Sequence, residues 1–199
     1  LNKRNSFNDF NDCVRFLIDQ RYTNPSLVCA KGVSAGGMLV ATSSILHPEL
    51  YRSILLKVPF LDVTTTMLDK TLPLTELESD EWGDPTCDKA VFDYIQSYSP
   101  YEQLLATKNV SQLPHMYISV AMKDFHVPSW QVFKYVARLT RLMREGNAGT
   151  PLVVCKILDE AGHGDEAGKN GTNEDIASEY AFIVASLGIQ PKAIKSSET

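Results

Sequence analysis

Long apolar runs are missing from this 199-residue chain: none approaches the roughly 20 residues that a membrane-spanning helix requires. A transmembrane protein of helical type is therefore not expected, and nothing in the first residues resembles a signal peptide. The chain opens on Leu1 and not on Met, as a piece of a longer protein would. Basic residues are also short, with 19 Lys and Arg against 24 Asp and Glu and a net charge of −5. That balance argues against nucleic-acid binding, which needs clustered cations, and would favour a basic ligand. Cysteine is sparse: Cys13, Cys29, Cys87 and Cys155 stand far apart without a C-x-x-C pair, which excludes a zinc knuckle and a dense disulfide framework. Reduced, mostly buried thiols and a cytoplasmic location are expected. Sequons at 109–111 and 170–172 would imply glycans only in a secreted chain. Repeats and low-complexity stretches are absent.

What is present suits one globular domain, with 44% hydrophobic and 22% charged residues. Ser6 reads as an N-cap with Asp9 three residues on, and Phe7, Phe10, Val14, Leu17 and Ile18 follow at helical spacing. "SLVCAKGV" is a continuous apolar run, the signature of a strand buried on both faces. A helix over Met38–Leu46, a strand in "YRSILLKVP", a strand in "HMYISVA", a helix over Ser129–Arg144, a strand in "PLVVCKIL" and a helix over Ile176–Leu187 follow. Such alternation predicts the α/β class, a parallel sheet with helices on both faces. Between the second and third strands, Leu61–Asn109 is an acid-rich excursion too long for a simple crossover. The domain is expected to span residues 1–190, with 191–199 a flexible tail.

"KGVSAGGM" places Ser34 between Gly32 and Gly36, where a buried strand gives way to a helix. A G-x-S-x-G match arises by chance about once in twenty chains of this length. At a strand-to-helix junction, however, it acquires a mechanical meaning: small residues permit a sharp turn that strains the serine and lifts its hydroxyl above the sheet. The turn also aims the Ala35 N–H, at the positive end of the next helix, toward an oxyanion. The competing reading is a glycine turn that only packs helix on strand. A nucleophilic serine needs a base, and the base needs an acid. His47 and His115 sit at a helix end and a strand start and read as structural. His126 follows the third strand, and His163, in "DEAGHGDEAG", follows the last strand and is the preferred base. Asp124 or Asp62 could supply the acid. The order Ser34, Asp124, His163 matches that of the α/β-hydrolases.

The blocks "SFNDF", "GVSAGG", "PFLDVTTTMLD", "LPLTELESDEWGDP", "YIQSYSPYEQL", "DFHVPSW" and "AGHG" resemble, in order, the catalytic domain of the prolyl oligopeptidase family, in its oligopeptidase B and prolyl endopeptidase-like branch. The resemblance implies an α/β-hydrolase fold that lacks its first strands here, and a serine peptidase acting on short peptides without metal or organic cofactor. It makes Ser34 the nucleophile, Asp124 the acid and His163 the base. It also implies that Glu78 and Asp80 bind the basic side chain preceding the cleaved bond; a guanidinium's planar donors suit two carboxylates. A solvated acidic loop is the competing reading of those two. Val33 and Asp84 depart from the family's blocks, where glycine and asparagine stand. A propeller, the first hydrolase strands and a tyrosine completing the oxyanion hole would lie upstream of Leu1. On that view residues 1–199 alone fold poorly, through an unpaired strand edge. They also catalyse weakly, at a cost of roughly 3 to 4 kcal/mol for the missing oxyanion donor. An ester or thioester hydrolase and a non-catalytic interaction protein are the rival functions.

Overall fold

A computed structural model describes residues 2–107, 110–146, 149–164 and 168–190; the tail expected at 191–199 and Asn109 of the first sequon lie outside them. Helix α1 (Arg4–Asp19) leads to β1 (Cys29–Val33), α2 (Ala35–Leu46) and β2 (Ser53–Lys57). Four short helices fill the excursion: α3 (Val63–Leu68), α4 (Ser79–Trp82), α5 (Lys89–Gln96) and α6 (Pro100–Ala106). Strand β3 (His115–Ala121), α7 (Trp130–Glu145), β4 (Val153–Leu158) and α8 (Gly168–Ser186) complete the order.

The four strands pair in parallel in the order β1-β2-β3-β4, so each α-helical connection returns the chain to the same end of the sheet. Ala30, Ile54, Leu56, Met116 and Ile118 point to one face, where Val14 of α1, Val40 and Ala41 of α2, Leu104 of α6 and Tyr135 of α7 meet them. Leu55 and Tyr117 point to the other, against Phe182 of α8. Helices on both faces of a parallel sheet agree with the predicted class.

Three expectations are corrected. Ser6 lies inside α1, because the Asn5 and Ser6 amides already bond to Asn2 and Lys3 carbonyls; Lys3 takes the cap position, its side chain turned to Glu81 and not to the helix end. Strand β1 is not buried on both faces: Ala30 and Gly32 are buried whereas Lys31 and Val33 are exposed, because β1 and β4 are the outer strands of the described sheet and only β2 and β3 have neighbours on both sides. The thiols are free, but Cys13 and Cys87 are exposed; only Cys29 and Cys155 are half-buried, and burial pushes both of these up from the ordinary thiol range.

Candidate active site

Three loops leave the carboxyl ends of β1, β3 and β4 on one side of the sheet, the position where open α/β sheets carry their sites. The first carries Ser34, whose φ of 55° and ψ of −124° put a non-glycine residue in a sparsely populated region. Such strain costs about 1–3 kcal/mol and persists only when neighbours over-determine it. They do so here: the Ser34 amide donates to the Lys57 carbonyl at 3.0 Å, and the Phe60 amide donates to the Ser34 carbonyl at 3.0 Å. The end of β2 thereby clamps the turn from both sides.

Gly32 is required by space, since a Cβ there would stand 2.1 Å from the Gly36 carbonyl oxygen. The predicted partner glycine is different. A Cβ on Gly36 meets nothing within 4 Å, whereas one on Gly37 would lie 2.6 Å from Pro59 Cβ, so Gly37 is what lets α2 approach the loop after β2. Ala35 is the first residue of α2, and the first N–H groups of a helix have no acceptor within it.

The loop after β3 carries Asp124, buried and doubly engaged. Its Oδ1 accepts from the amides of His126 at 2.9 Å and Val127 at 2.8 Å. Its Oδ2 faces His163 Nδ1 at 2.7 Å. The loop after β4 carries His163, whose Nε2 lies 2.9 Å from Ser34 Oγ. With the proton on Nδ1, the ring donates to Asp124 and accepts from the Ser34 hydroxyl. The amide of Lys123 donates to the Ala161 carbonyl at 3.1 Å and ties the two loops together. Asp62, the other acid considered, is elsewhere: fully buried, it accepts from the Thr65 amide at the start of α3 and pairs with Lys134. His47 and His115 are structural, the first beside Glu49 and Arg15, the second accepting from the Leu152 amide.

A narrow cavity of about 30 Å³ opens beside Ser34 and Ala35, walled by Phe60, Met67, Leu74 and Val127. Glu78 is its one acidic lining residue, held by Trp82 Nε1, which donates to Oε2 at 2.8 Å. Trp82 in turn packs edge-on against Phe60. Asp80 does not join Glu78: it is exposed on α4, outside this cavity. Phe60 and Trp82 were missed in the sequence, although the four-residue spacing from Glu78 to Trp82 spans one helical turn and carried the signal. The carboxylate of Asp84, one of the departures, is held far below its usual range by hydrogen bonds from Thr86 and then by Lys70 at 3.1 Å. Val33, the other, is exposed.

Chemically, a strained hydroxyl bonded to an imidazole that a buried carboxylate orients can open acyl compounds by nucleophilic attack. Among relatives, "Protease 2" of Moraxella lacunata is 42% identical over 95% of this chain and 26% of its own length. "Dipeptidyl aminopeptidase BI" of Pseudoxanthomonas mexicana is also 42% identical, over 96% of this chain and 25% of its own. Among solved structures, oligopeptidase B from Trypanosoma brucei with covalently bound antipain superposes with a TM-score of 0.85 at 33% identity, over 96% of this chain and 26% of that one. The chain thus spans about a quarter of the length of these proteins. The model of the prolyl oligopeptidase family matches residues 1–190, and the chain belongs to that family.

Proposed function

We propose that this chain supplies the reacting groups of a serine peptidase that cleaves short peptides after basic residues. The observation that carries the reading is the continuous hydrogen-bonded path from Ser34 Oγ through His163 to buried Asp124, ending on a serine of positive φ. Ser34 Oγ attacks the scissile carbonyl carbon while its proton passes to His163 Nε2. The imidazolium is stabilised by Asp124, and the Ala35 N–H steadies the oxyanion. The C–N bond then breaks as His163 returns the proton to the leaving amine, and water clears the acyl-enzyme through the same base. The Protease 2 and oligopeptidase B relatives support peptides as the substrate class. Glu78 supports the basic preference, because an acceptor carboxylate in a mostly apolar wall rewards a guanidinium or ammonium. Asp80 adds negative charge at the approach.

The test is fluorophosphonate labelling of the full-length protein, alongside hydrolysis of arginine-containing peptides and of short acyl esters. Labelling of Ser34 with peptide cleavage is expected. Ester turnover without peptide cleavage would replace the reading with an ester or thioester hydrolase, and a Ser34 that never labels would leave an interaction protein.

A further inference from the structure

Beyond the path from serine to carboxylate, a second histidine stands at the same place without a task. His126 is exposed, and its ring nitrogens make no hydrogen bond among the described residues. Its ring lies 4.9 Å from that of His163, centroid to centroid, at 87°. Asp124, His126 and His163 each offer one ligand atom, and the three atoms lie within 4.8 Å of one another. We propose that these three residues form a reversible binding site for a divalent transition ion of the zinc type, which silences the site by occupying its base.

The donor set fits: two imidazoles and one carboxylate, with an open fourth position for water, is the composition of three-ligand zinc sites. Two ligands on one zinc can stand at most about 4 Å apart, given bonds of roughly 2.0–2.1 Å. The exposed His126 ring must therefore swing inward, and nothing in its hydrogen bonding opposes that motion. The other two ligands stand together, Asp124 Oδ2 against His163 Nδ1 at 2.7 Å, and need part only slightly to take an ion with bonds of about 2 Å. Asp124 is fixed by two backbone amides on Oδ1, and the loops bearing Asp124 and His163 are joined by the bond from Lys123 to Ala161. An ion coordinated to His163 replaces either its bond to Asp124 or its bond to Ser34. Both bonds are needed for proton transfer from Ser34, so the inhibitory consequence rests on the function proposed above, whereas ion binding does not.

The experiment uses the full-length protein with the exposed Cys13 and Cys87 changed to serine, which removes adventitious thiol ligands. Co²⁺ is titrated in and followed by its visible absorption, with Zn²⁺ as competitor; Zn²⁺ is then tested against fluorophosphonate labelling, with EDTA to reverse it. The expected result is one competing ion per chain, affinity falling more than about tenfold in H126A and H126Q, since loss of an outer-shell partner alone costs that much. Affinity should persist in S34A, and Zn²⁺ should slow labelling until EDTA is added. Failure of Co²⁺ to bind, or equal affinity in both His126 variants, overturns the site. Ion binding that depends on His126 in a protein whose Ser34 never labels would uphold the site and remove the hydrolase reading. Labelling without such binding would do the reverse.

Discussion

The two halves of the candidate site are built by different means. The reacting half, Ser34, Asp124 and His163, hangs from the ends of parallel strands, and its geometry is set by sheet register and backbone hydrogen bonds. The proposed recognition half is mixed: Phe60 sits on the loop after β2, its amide bonded to Ser34, whereas Met67, Glu78 and Trp82 belong to the short helix α3 and to α4 with its cap, held by side-chain contacts. The sharpest way to break the comparison is to neutralise one buried acid inside the reacting half and one outside it. D124N should lower kcat by about 10⁴-fold, because an amide cannot hold the imidazole in the required tautomer. D62N, at another buried aspartate, should leave kcat near its original value and lower stability by about 1–3 kcal/mol, the cost of a lost buried charged acceptor. Equal kinetic losses in the two variants, measured on an acyl ester, would erase the distinction.

The turn that carries the serine offers the next largest effect. G32A forces a Cβ onto the Gly36 carbonyl and should destabilise by about 3 kcal/mol, at the upper end of overpacking costs. G36A meets open space inside a helix and should raise stability by up to about 1 kcal/mol. Thermal unfolding of the two variants side by side decides whether the motif's glycines share one role, as the pattern suggests, or divide as the structure places them.

That division shows how much could be read beforehand. The alternation of buried runs and helical spacings was enough for the α/β class, and the positions of Ser34, Asp124 and His163 after β1, β3 and β4 followed from it, because topology alone brings strand ends together. Which glycine is crowded could not be read, since Gly37 answers to Pro59, a residue distant in sequence. The resemblance grouped Asp80 with Glu78, but a sequence block does not say which side of a single helical turn faces Ser34. Strand β1 was overestimated as buried because a run of apolar residues records composition, not the number of neighbours.

Recognition can be sharpened on that last point. E78Q keeps the shape of the cavity wall and removes its charge, so kcat/KM for arginine-containing peptides should fall about 10- to 100-fold, the worth of one charge-assisted hydrogen bond. Turnover of a neutral acyl ester should hold. D80N should change either rate by less than twofold at moderate salt, because an exposed charge outside the cavity is screened. A larger effect from D80N than from E78Q would move the recognition carboxylate to the exposed side of α4.

The smallest expected effect lies in α6, where Glu102 keeps a buried Oε2 without a hydrogen-bond partner among the described residues. Burial pushes its carboxyl up from the usual range, against the pull of Ser99. A raised carboxyl in the folded state means that folding takes up a proton between the unfolded and folded titration points. Stability contributed by this group is therefore full below the unfolded pKa and is lost as pH rises through the folded one. E102Q removes the charge but keeps a side chain of the same size. It should raise the melting temperature by about 2 °C at neutral pH, on the scale of 2–4 °C per kcal/mol for a chain of this size. The gain should shrink as pH falls through the ordinary carboxyl range, because the native carboxyl takes up its proton there. A variant whose advantage persists at acid pH would show that the amide gains a new hydrogen bond, and that charge burial beneath α6 is not what the wild-type residue costs.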